Sequence, residues 1–334
     1  MTESEPGEAH TSPEIVQALY DPRTGGRALE VAEVAAAELS RPHRTNCFTI
    51  YRVRAGTGTF WADAACQPFA APCLLFFVPY QAVRLAPDAE LRVTAVRFHA
   101  NFLCVETYHH EVGCNGVLFN DPYGVPVVAL ADAAEREVDD LIGRLRDELA
   151  GAELAHAEVL LSYLKILLVR ATRLKRDQQG AAGGTASGRL PPPLPELREL
   201  VEAHYRRLHS PADYADLLGT TPKALGRLVK AHLGKTLTEL IQERVLNHAK
   251  WELLHTLRPV KEVAREVGYD DELYFSRLFR KATGMAPTEF RTFETEVRGG
   301  RNLSMPSARP SIPPSPPAGQ NANTPANDAP RPGA

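Results

Sequence analysis

The chain lacks long apolar runs, a secretory leader and paired cysteines. None of its 334 residues lie in a run approaching the roughly 20 apolar residues of a membrane span. Its N-terminus is acidic and polar, without the basic and apolar regions of a signal peptide. The five cysteines are an odd number with no CxxC spacing, which argues against a disulfide framework or a zinc ribbon. We therefore expect a cytoplasmic protein that contacts no membrane and needs no cofactor.

The overall charge does not suggest a nucleic-acid binder, but its distribution does. The formal net charge is -3, whereas residues 221–235 contain four cations and no acid, namely Lys223, Arg227, Lys230 and Lys235. The basic charge is therefore local, and its position matters more than the sum.

Residues 210–290 contain one helix-turn-helix pattern twice. In each copy a short helix with a small residue, Ala215 or Ala264, leads to a glycine, Gly219 or Gly268, that suits the positive φ of a tight turn. A polar N-cap follows, and then a helix with apolar residues on one face and Arg or Lys on the other. A recognition helix for the major groove of DNA is built in this way.

Residues 237–256 between the two copies have an uninterrupted helical pattern. At 1.5 Å per residue this helix is about 30 Å long. Successive major grooves on one face of DNA are about 34 Å apart. A rigid helix of this length therefore suits two recognition helices that enter adjacent grooves.

The N-terminal half predicts a small antiparallel β-barrel and two helices. Short β-type runs follow one another between residues 48 and 98, separated by glycine and proline. Such a barrel can hold one small ligand, and we take Tyr51, Trp61 and Phe76 as candidate lining residues. Helices are predicted over 131–150 and 152–176. An apolar stripe on the second helix packs on the barrel or forms a dimer contact through Leu154, Leu161, Leu164 and Leu168.

The C-terminal region resembles the AraC/XylS family of bacterial transcription regulators. The most specific part is 263–291, VAREVGYDDELYFSRLFRKATGMAPTEFR, and the first copy matches through Ala215, Leu218, Gly219, Leu225, Arg227, Lys230 and Gly234. In the joining helix, Val245 stands where the family usually has Arg, and Glu252 stands where it usually has an apolar residue.

The resemblance implies a dimeric, effector-responsive regulator of α+β class that binds double-stranded DNA and RNA polymerase, more often as an activator. A cupin-like effector and dimerisation domain is expected over 25–176, and a double helix-turn-helix domain over 196–293. The remaining segments are expected to be a mobile arm over 1–24, a flexible linker over 177–195 and a disordered tail over 299–334, from their Pro-, Gly- and polar-rich composition.

The family's base-reading positions fall on side chains of both units. They are Lys223 and Arg227 in the first unit and Glu272, Leu273, Tyr274 and Arg277 in the second. Thr221 is the expected N-cap beside amides that can bind a phosphate, and Lys230, Arg280 and Lys281 are candidates for contacts to the DNA backbone. Because Asp270 and Asp271 repel phosphate, we expect the first unit to anchor and the second to adjust.

Other functions remain open at this point. An architectural DNA binder would use the barrel only to dimerise. A metal or thiol-redox sensor would draw on Cys104, His109, His110 and Cys114, whose spacing matches no standard metal site. An enzyme is not expected, because cupin enzymes hold a metal through an HxH pair and this chain has only His43 near that place.

Overall fold

The structure is a computed structural model of the chain. It describes residues 16–20, 27–99, 102–103, 117–119, 121, 123–151, 153–181 and 193–297. The predicted tail and most of the linker, together with the predicted metal or thiol ligands Cys104, His109, His110 and Cys114, lie outside these residues.

The N-terminal half contains two antiparallel sheets. The larger has the order β1-β2-β8-β3-β6-β9 and the smaller has the order β5-β4-β7. The strands are β1 (Val16–Tyr20), β2 (Arg27–Val34), β3 (Phe48–Ala55), β4 (Thr57–Ala62), β5 (Ala65–Ala70), β6 (Cys73–Phe77), β7 (Val83–Pro87), β8 (Arg92–Phe98) and β9 (Val127–Ala129). A short helix, α1 (Ala36–Leu39), follows β2.

Strand β3 lies at the centre of the larger sheet and is covered on both faces. Because side chains alternate across a strand, Phe48 and Ile50 enter one core with the following helices, whereas Tyr51 and Val53 enter a second core with the smaller sheet. Arg52 lies on the helix-facing side with no exposed side-chain surface, and its guanidinium bonds two carboxylates of the adjacent helix. The larger sheet is therefore a middle layer.

Two predictions for this half are wrong in detail. The described strands form two separate sheets and do not close into a barrel, because the chain turns into the smaller sheet at Gly56, whose φ is 102°. Strand β1 pairs with β2, so Val16–Tyr20, within the expected mobile arm, belongs to the larger sheet.

Two long helices cover the outer face of the larger sheet. They are α2 (Asp132–Gly151) and α3 (His156–Ala181), so α3 extends five residues into the predicted linker. Leu164 and Leu168 have no exposed surface and lie in the core between helices and sheet. They are thus unavailable for the predicted dimer contact. Leu161 is partly buried against the same core, whereas Leu154 is 97% exposed.

The described residues 193–297 form seven helices around one core. They are α4 (Leu194–His204), α5 (Pro211–Leu217), α6 (Pro222–Leu233), α7 (Leu237–His255), α8 (Val260–Glu266), α9 (Glu272–Thr283) and α10 (Pro287–Val297). Tyr80 and Tyr123 of the N-terminal half also pack in this core. The two halves therefore contact one another directly, although the predicted flexible linker between them would also have allowed them to stay apart.

Candidate nucleic-acid interface

The two helix-turn-helix units repeat with an offset of 50 residues between their recognition helices, α6 and α9, and of 49 residues between the helices before them, α5 and α8. Helices α6 and α9 each have 12 residues. Both end at a glycine in the left-handed region, Gly234 with φ 68° and Gly284 with φ 87°. The predicted turn glycines, Gly219 and Gly268, also have positive φ, at 59° and 93°. The repeat read from the sequence is therefore a repeat of backbone geometry.

Each recognition helix begins at a side-chain cap. The hydroxyl of Thr221 accepts a hydrogen bond from the Ala224 amide at 3.2 Å. The carboxylate of Asp271 accepts from the Leu273 and Tyr274 amides at 2.8 and 3.1 Å. Thr221 was the predicted N-cap of the first unit, and for the second unit a polar N-cap was predicted without choosing its residue. The two caps differ in charge, because the cap of the first unit is neutral and that of the second is an acid next to the surface that would meet phosphate.

Buried side chains hold the two helices on the core in the same orientation. The fourth and eighth positions of α6 are Leu225 and Val229, and those of α9 are Phe275 and Phe279. All four have at most 1% of their surface exposed. Since positions four apart share a helix face, this face is committed to the core and the opposite face is left to solvent.

The outward face carries basic residues at matching positions. Arg227 and Arg277 are the sixth residues of α6 and α9, and both are exposed. Neither makes an ion pair or hydrogen bond to another residue that the structure describes. Lys223, one turn before Arg227, is likewise exposed. Within the part of the chain that the structure describes, these three cations are exposed and unpaired, which leaves them available to a negatively charged partner.

The ninth positions are Lys230 and Arg280, which are also exposed. The Lys230 amine donates to the Gly234 carbonyl at 3.1 Å and so helps to end α6. Lys281 is exposed but lines a cavity against the N-terminal half. Lys230, Arg280 and Lys281 were predicted to contact the DNA backbone. Of these three, Arg280 has the fewest contacts with the rest of the described protein.

The start of α9 presents apolar and aromatic surface. Leu273 is 74% exposed and Tyr274 is 47% exposed, although large apolar side chains are usually covered. Glu272 is half-buried. Leucine and tyrosine at this place suit a thymine methyl better than a phosphate. Helices α6 and α9 thus share a basic residue at the sixth position. Their first turns differ, because that of α6 carries a lysine and that of α9 carries acidic, apolar and aromatic side chains.

Helix α7 joins the units as one uninterrupted helix of 19 residues, about 28 Å long. It begins with a capping box, in which Thr236 and Glu239 satisfy each other's backbone amides. Val245 has no exposed surface. Glu252 is buried and has Arg258 at 3.5 Å and His248 at 3.4 Å. The carboxylate therefore faces neighbouring cationic or titratable groups instead of solvent.

The N-terminal half touches the C-terminal end of both recognition helices. The Cys66 amide donates to the Gly234 carbonyl at 3.3 Å, and a Cβ at Gly234 would lie 2.2 Å from the Cys66 carbonyl oxygen. At the equivalent Gly284, a Cβ would lie 3.3 Å from the Arg44 guanidinium. These contacts were not predicted, because their partners are far apart in the sequence and carry no shared motif.

Residues 214–292 match a protein-family model described as a helix-turn-helix domain. This range contains α6, α7, α8 and α9 completely. Residues 214–292 are an AraC-type helix-turn-helix domain.

Parts of the chain are similar to segments of known regulators. The arabinose operon regulatory protein of Escherichia coli K12 is 39% identical over 80 residues, which are 24% of this chain and 27% of that protein. The HTH-type transcriptional activator RhaR of Enterobacter sp. strain 638 is 27% identical over 176 residues, 52% of this chain and 60% of that protein. The chain thus spans less than two thirds of the length of these curated relatives.

A solved structure also resembles the AraC-type domain. The C-terminal domain of AraT, a response regulator from Geobacillus stearothermophilus, is 33% identical and covers 31% of this chain and 88% of its own, with a TM-score of 0.31.

The predicted effector residues of the N-terminal half do not form one pocket. Phe76 packs in the core beneath α2 and α3, whereas Tyr51 packs in the core beneath the smaller sheet. Trp61 lies on the smaller sheet, where the Arg84 guanidinium stacks 3.8 Å from its ring centre. Adjacent layers separate these side chains, so they cannot line one pocket together, and a role for any one of them in effector binding stays a prediction.

Three further observations concern the described residues, which do not include the predicted metal or thiol ligands Cys104, His109, His110 and Cys114. The described residues contain no group of three His, Cys, Asp or Glu side chains placed to hold a metal ion. None of their helices has the length and apolarity needed to cross a membrane. Burial raises the pKa of the Cys73 thiol to about 12 and that of Cys47 to about 11, with Glu30 adding to the shift at Cys47. Both thiols are poor nucleophiles at neutral pH.

Proposed function

We propose that the protein is a sequence-specific DNA-binding transcription regulator whose helices α6 and α9 read double-stranded DNA. One observation carries the proposal: Arg227 and Arg277 are exposed and unpaired, within the described residues, at the sixth position of two 12-residue helices that repeat after 50 residues. If these helix faces contacted only solvent, nothing would require the same cation at the same position of both helices. Arginine at this place can bond guanine O6 and N7 together.

The joining helix supports simultaneous contact by both units. Its length of about 28 Å is close to the roughly 34 Å between successive major grooves on one face of DNA. The first unit has the greater positive charge, because residues 221–235 contain no acid, whereas the second begins with Asp270, Asp271 and Glu272. We infer that the first unit supplies most of the affinity and the second adjusts it.

Three finer properties belong to the same proposal. The protein responds to a small-molecule effector, acts as a homodimer and activates transcription through RNA polymerase. Support comes from the similarity of parts of the chain to a curated arabinose operon regulatory protein and to a transcriptional activator. No catalytic step is assigned to the chain.

The experiment is DNA footprinting upstream of the protein's own gene, followed by titration of the protected fragment and of a scrambled fragment at one salt concentration. We expect two protected patches about one helical turn apart for each copy of the protein. The scrambled fragment is expected to bind at least about a thousandfold more weakly. Equal affinity for both fragments would exclude sequence-specific regulation. The remaining function would then be that of an architectural DNA binder.

A further inference from the structure

The turn of the second unit packs against the segment 205–209, which leads from α4 into the first unit. A Cβ at the turn glycine Gly268 would lie 2.2 Å from the carbonyl oxygen of Arg206 and 2.8 Å from the His209 ring. A Cβ at Gly219, the turn glycine of the first unit, would meet nothing within 4 Å. The second unit therefore touches the segment before the first unit directly, as well as through α7.

Two stacked rings form the centre of this contact. The His209 imidazole lies on the Tyr269 ring, with the ring centres 4.6 Å apart and the ring planes at 23°. The Nε2 atom of His209 is buried and has no hydrogen-bond partner among the residues that the structure describes. An ion pair of Arg206 with Glu266 at 2.6 Å lies beside the rings, but partly exposed pairs of this kind contribute little. Stacking is therefore the main specific interaction at His209.

Tyr269 extends this contact to the start of α9. Its ring centre lies 5.6 Å from that of Tyr274 and 6.1 Å from that of Phe275, which are the third and fourth residues of α9. Phe275 is fully buried, whereas Tyr274 is 47% exposed and is a predicted base-reading residue. A row of three rings, His209, Tyr269 and Tyr274, thus leads from the first unit to the outward surface of the second recognition helix.

The first unit carries no rings at the equivalent positions. Thr220 follows its turn glycine, where the second unit has Tyr269. Ala224 is the third residue of α6, where α9 has Tyr274. The row of three rings is therefore a property of the second unit, and it fixes the start of α9 relative to the first unit.

We propose that His209 is a positioning residue for DNA recognition, which acts through Tyr269 and Tyr274 to hold α9 at a fixed angle to α6. The inference rests on the proposed function, because it concerns how the two units read one DNA site. When both recognition helices are already oriented, binding of the second helix requires less loss of conformational freedom, and its contacts contribute more to affinity. Removal of the His209 ring should therefore weaken recognition by α9 and leave recognition by α6 intact.

The test is titration of the full chain with two DNA fragments at one salt concentration. One fragment carries both patches of the footprinted site, and in the other the patch contacted by α9 is scrambled. Footprinting of Arg277→Ala identifies that patch, because protection is expected to weaken there. The ratio of the two dissociation constants, one-patch to two-patch, measures the contribution of the second patch. His209→Leu is expected to lower this ratio about two- to tenfold without changing the affinity for the one-patch fragment.

Three further variants separate the stack from other effects. His209→Phe keeps a ring and is expected to restore the ratio, because no hydrogen bond of the imidazole to a described residue is lost. His204→Leu, the same replacement at a half-buried histidine of α4 outside the row of rings, is expected to leave the ratio unchanged. Tyr269→Leu is expected to lower the ratio, and its combination with His209→Leu should lower it no further, because both changes remove one contact.

Four results overturn the inference: a ratio near one for the unaltered chain, an unchanged ratio in His209→Leu, an equal loss of affinity for both fragments, or no recovery in His209→Phe. Thermal unfolding shows whether His209→Leu is folded. His209→Gln, which keeps a polar group without a ring, repeats the test if it is not. Failure of the proposed function has a different signature, because the unaltered chain would then bind the two-patch fragment and a fully scrambled fragment equally.

Discussion

The Tyr80 hydroxyl donates a hydrogen bond to the Glu294 carboxylate, joining residues 214 positions apart in the sequence. Both side chains are buried, and the Tyr80 ring also packs against Phe290 with the ring centres 5.0 Å apart. Helix α10 of the C-terminal half is thereby attached to the turn before β7. The AraC-type domain is docked on the sheets by specific contacts and is not merely tethered to them.

Tyr80→Phe tests this contact. The substitution keeps the ring but removes the donor, leaving a buried carboxylate with one partner fewer, so we expect a loss of about 1–3 kcal/mol in the free energy of unfolding. Urea unfolding followed by circular dichroism measures it. Tyr163→Phe is the control, because the Tyr163 ring packs on the helical core and no bond of its hydroxyl to a described residue exists. A loss equal to that of the control would contradict a specific role for the bond.

Two glycines of the first unit form a matched pair for the second prediction. Gly234→Ala introduces a side chain at φ 68° and against the Cys66 carbonyl, so we expect a loss of at least about 2 kcal/mol. Gly226 lies inside α6 with nothing near its absent Cβ. Gly226→Ala should therefore stabilise the protein by about 0.5–1 kcal/mol through helix propensity. Thermal unfolding of both variants measures the two changes in stability. The prediction requires these changes to have opposite signs.

Arg227→Ala is expected to weaken binding to the specific DNA site by about 1–3 kcal/mol. The guanidinium is exposed and unpaired among the described residues, so its loss costs little folding stability and acts mainly on DNA. Fluorescence anisotropy at one salt concentration measures the change. Arg173→Ala, on an exposed position of α3, is the matched control. Unchanged affinity for Arg227→Ala would remove this residue from the interface.

Asp271→Asn separates capping from charge in the second unit. Asparagine caps helices about as well as aspartate, so the bonds to the Leu273 and Tyr274 amides remain and stability should change by less than about 1 kcal/mol. Removing a negative charge next to phosphate should tighten DNA binding by about 0.5–1 kcal/mol at low salt, with the gain shrinking as salt rises. Weaker binding with an intact fold would show that the carboxylate itself contacts DNA.

The raised pKa values of the Cys47 and Cys73 thiols predict a defined pH dependence of alkylation. Because burial raises the pKa of Cys73 to about 12 and that of Cys47 to about 11, the thiolate is a minor form up to those pH values. Alkylation of either thiol by iodoacetamide should therefore be slow at pH 7 and rise about tenfold per pH unit until the pKa is approached. Peptide mass spectrometry measures each rate. Rates as fast as those of the urea-unfolded chain would contradict this environment.

The same raised pKa values set the direction of a stability change. A thiol whose pKa is higher in the folded than in the unfolded chain stabilises the fold fully below the unfolded pKa. That contribution is lost as the pH rises from about 9 towards 11 at Cys47 and 12 at Cys73. We expect no contribution from these two thiols to acid unfolding.

The sequence predicted the features of the molecule that depend on near neighbours. The turn glycines Gly219 and Gly268, the cap Thr221 and the joining helix α7 all depend on residues within a few positions of one another. Backbone sterics and capping act over that range, so their patterns can be recognised from the sequence alone. The outward position of Arg227 and Arg277 follows from the same helical period.

The layers and interfaces were not predictable in that way. The pattern of short strands was compatible with one closed barrel, and it did not reveal that Tyr51 and Phe76 would enter different cores. The apolar stripe that contains Leu164 and Leu168 looks the same in the sequence whether the helix packs on its own sheet or on a second copy of the chain. Such choices depend on which distant surfaces are buried together.

The sequence by itself determined the repeated helix-turn-helix units, their caps and their separation, because local backbone preferences and helical periodicity suffice for these. Only the tertiary structure decided that Cys66 meets the end of α6 and that Arg44 meets the end of α9. Those contacts join residues far apart in the chain. They arise from the packing of whole layers, which no local pattern encodes.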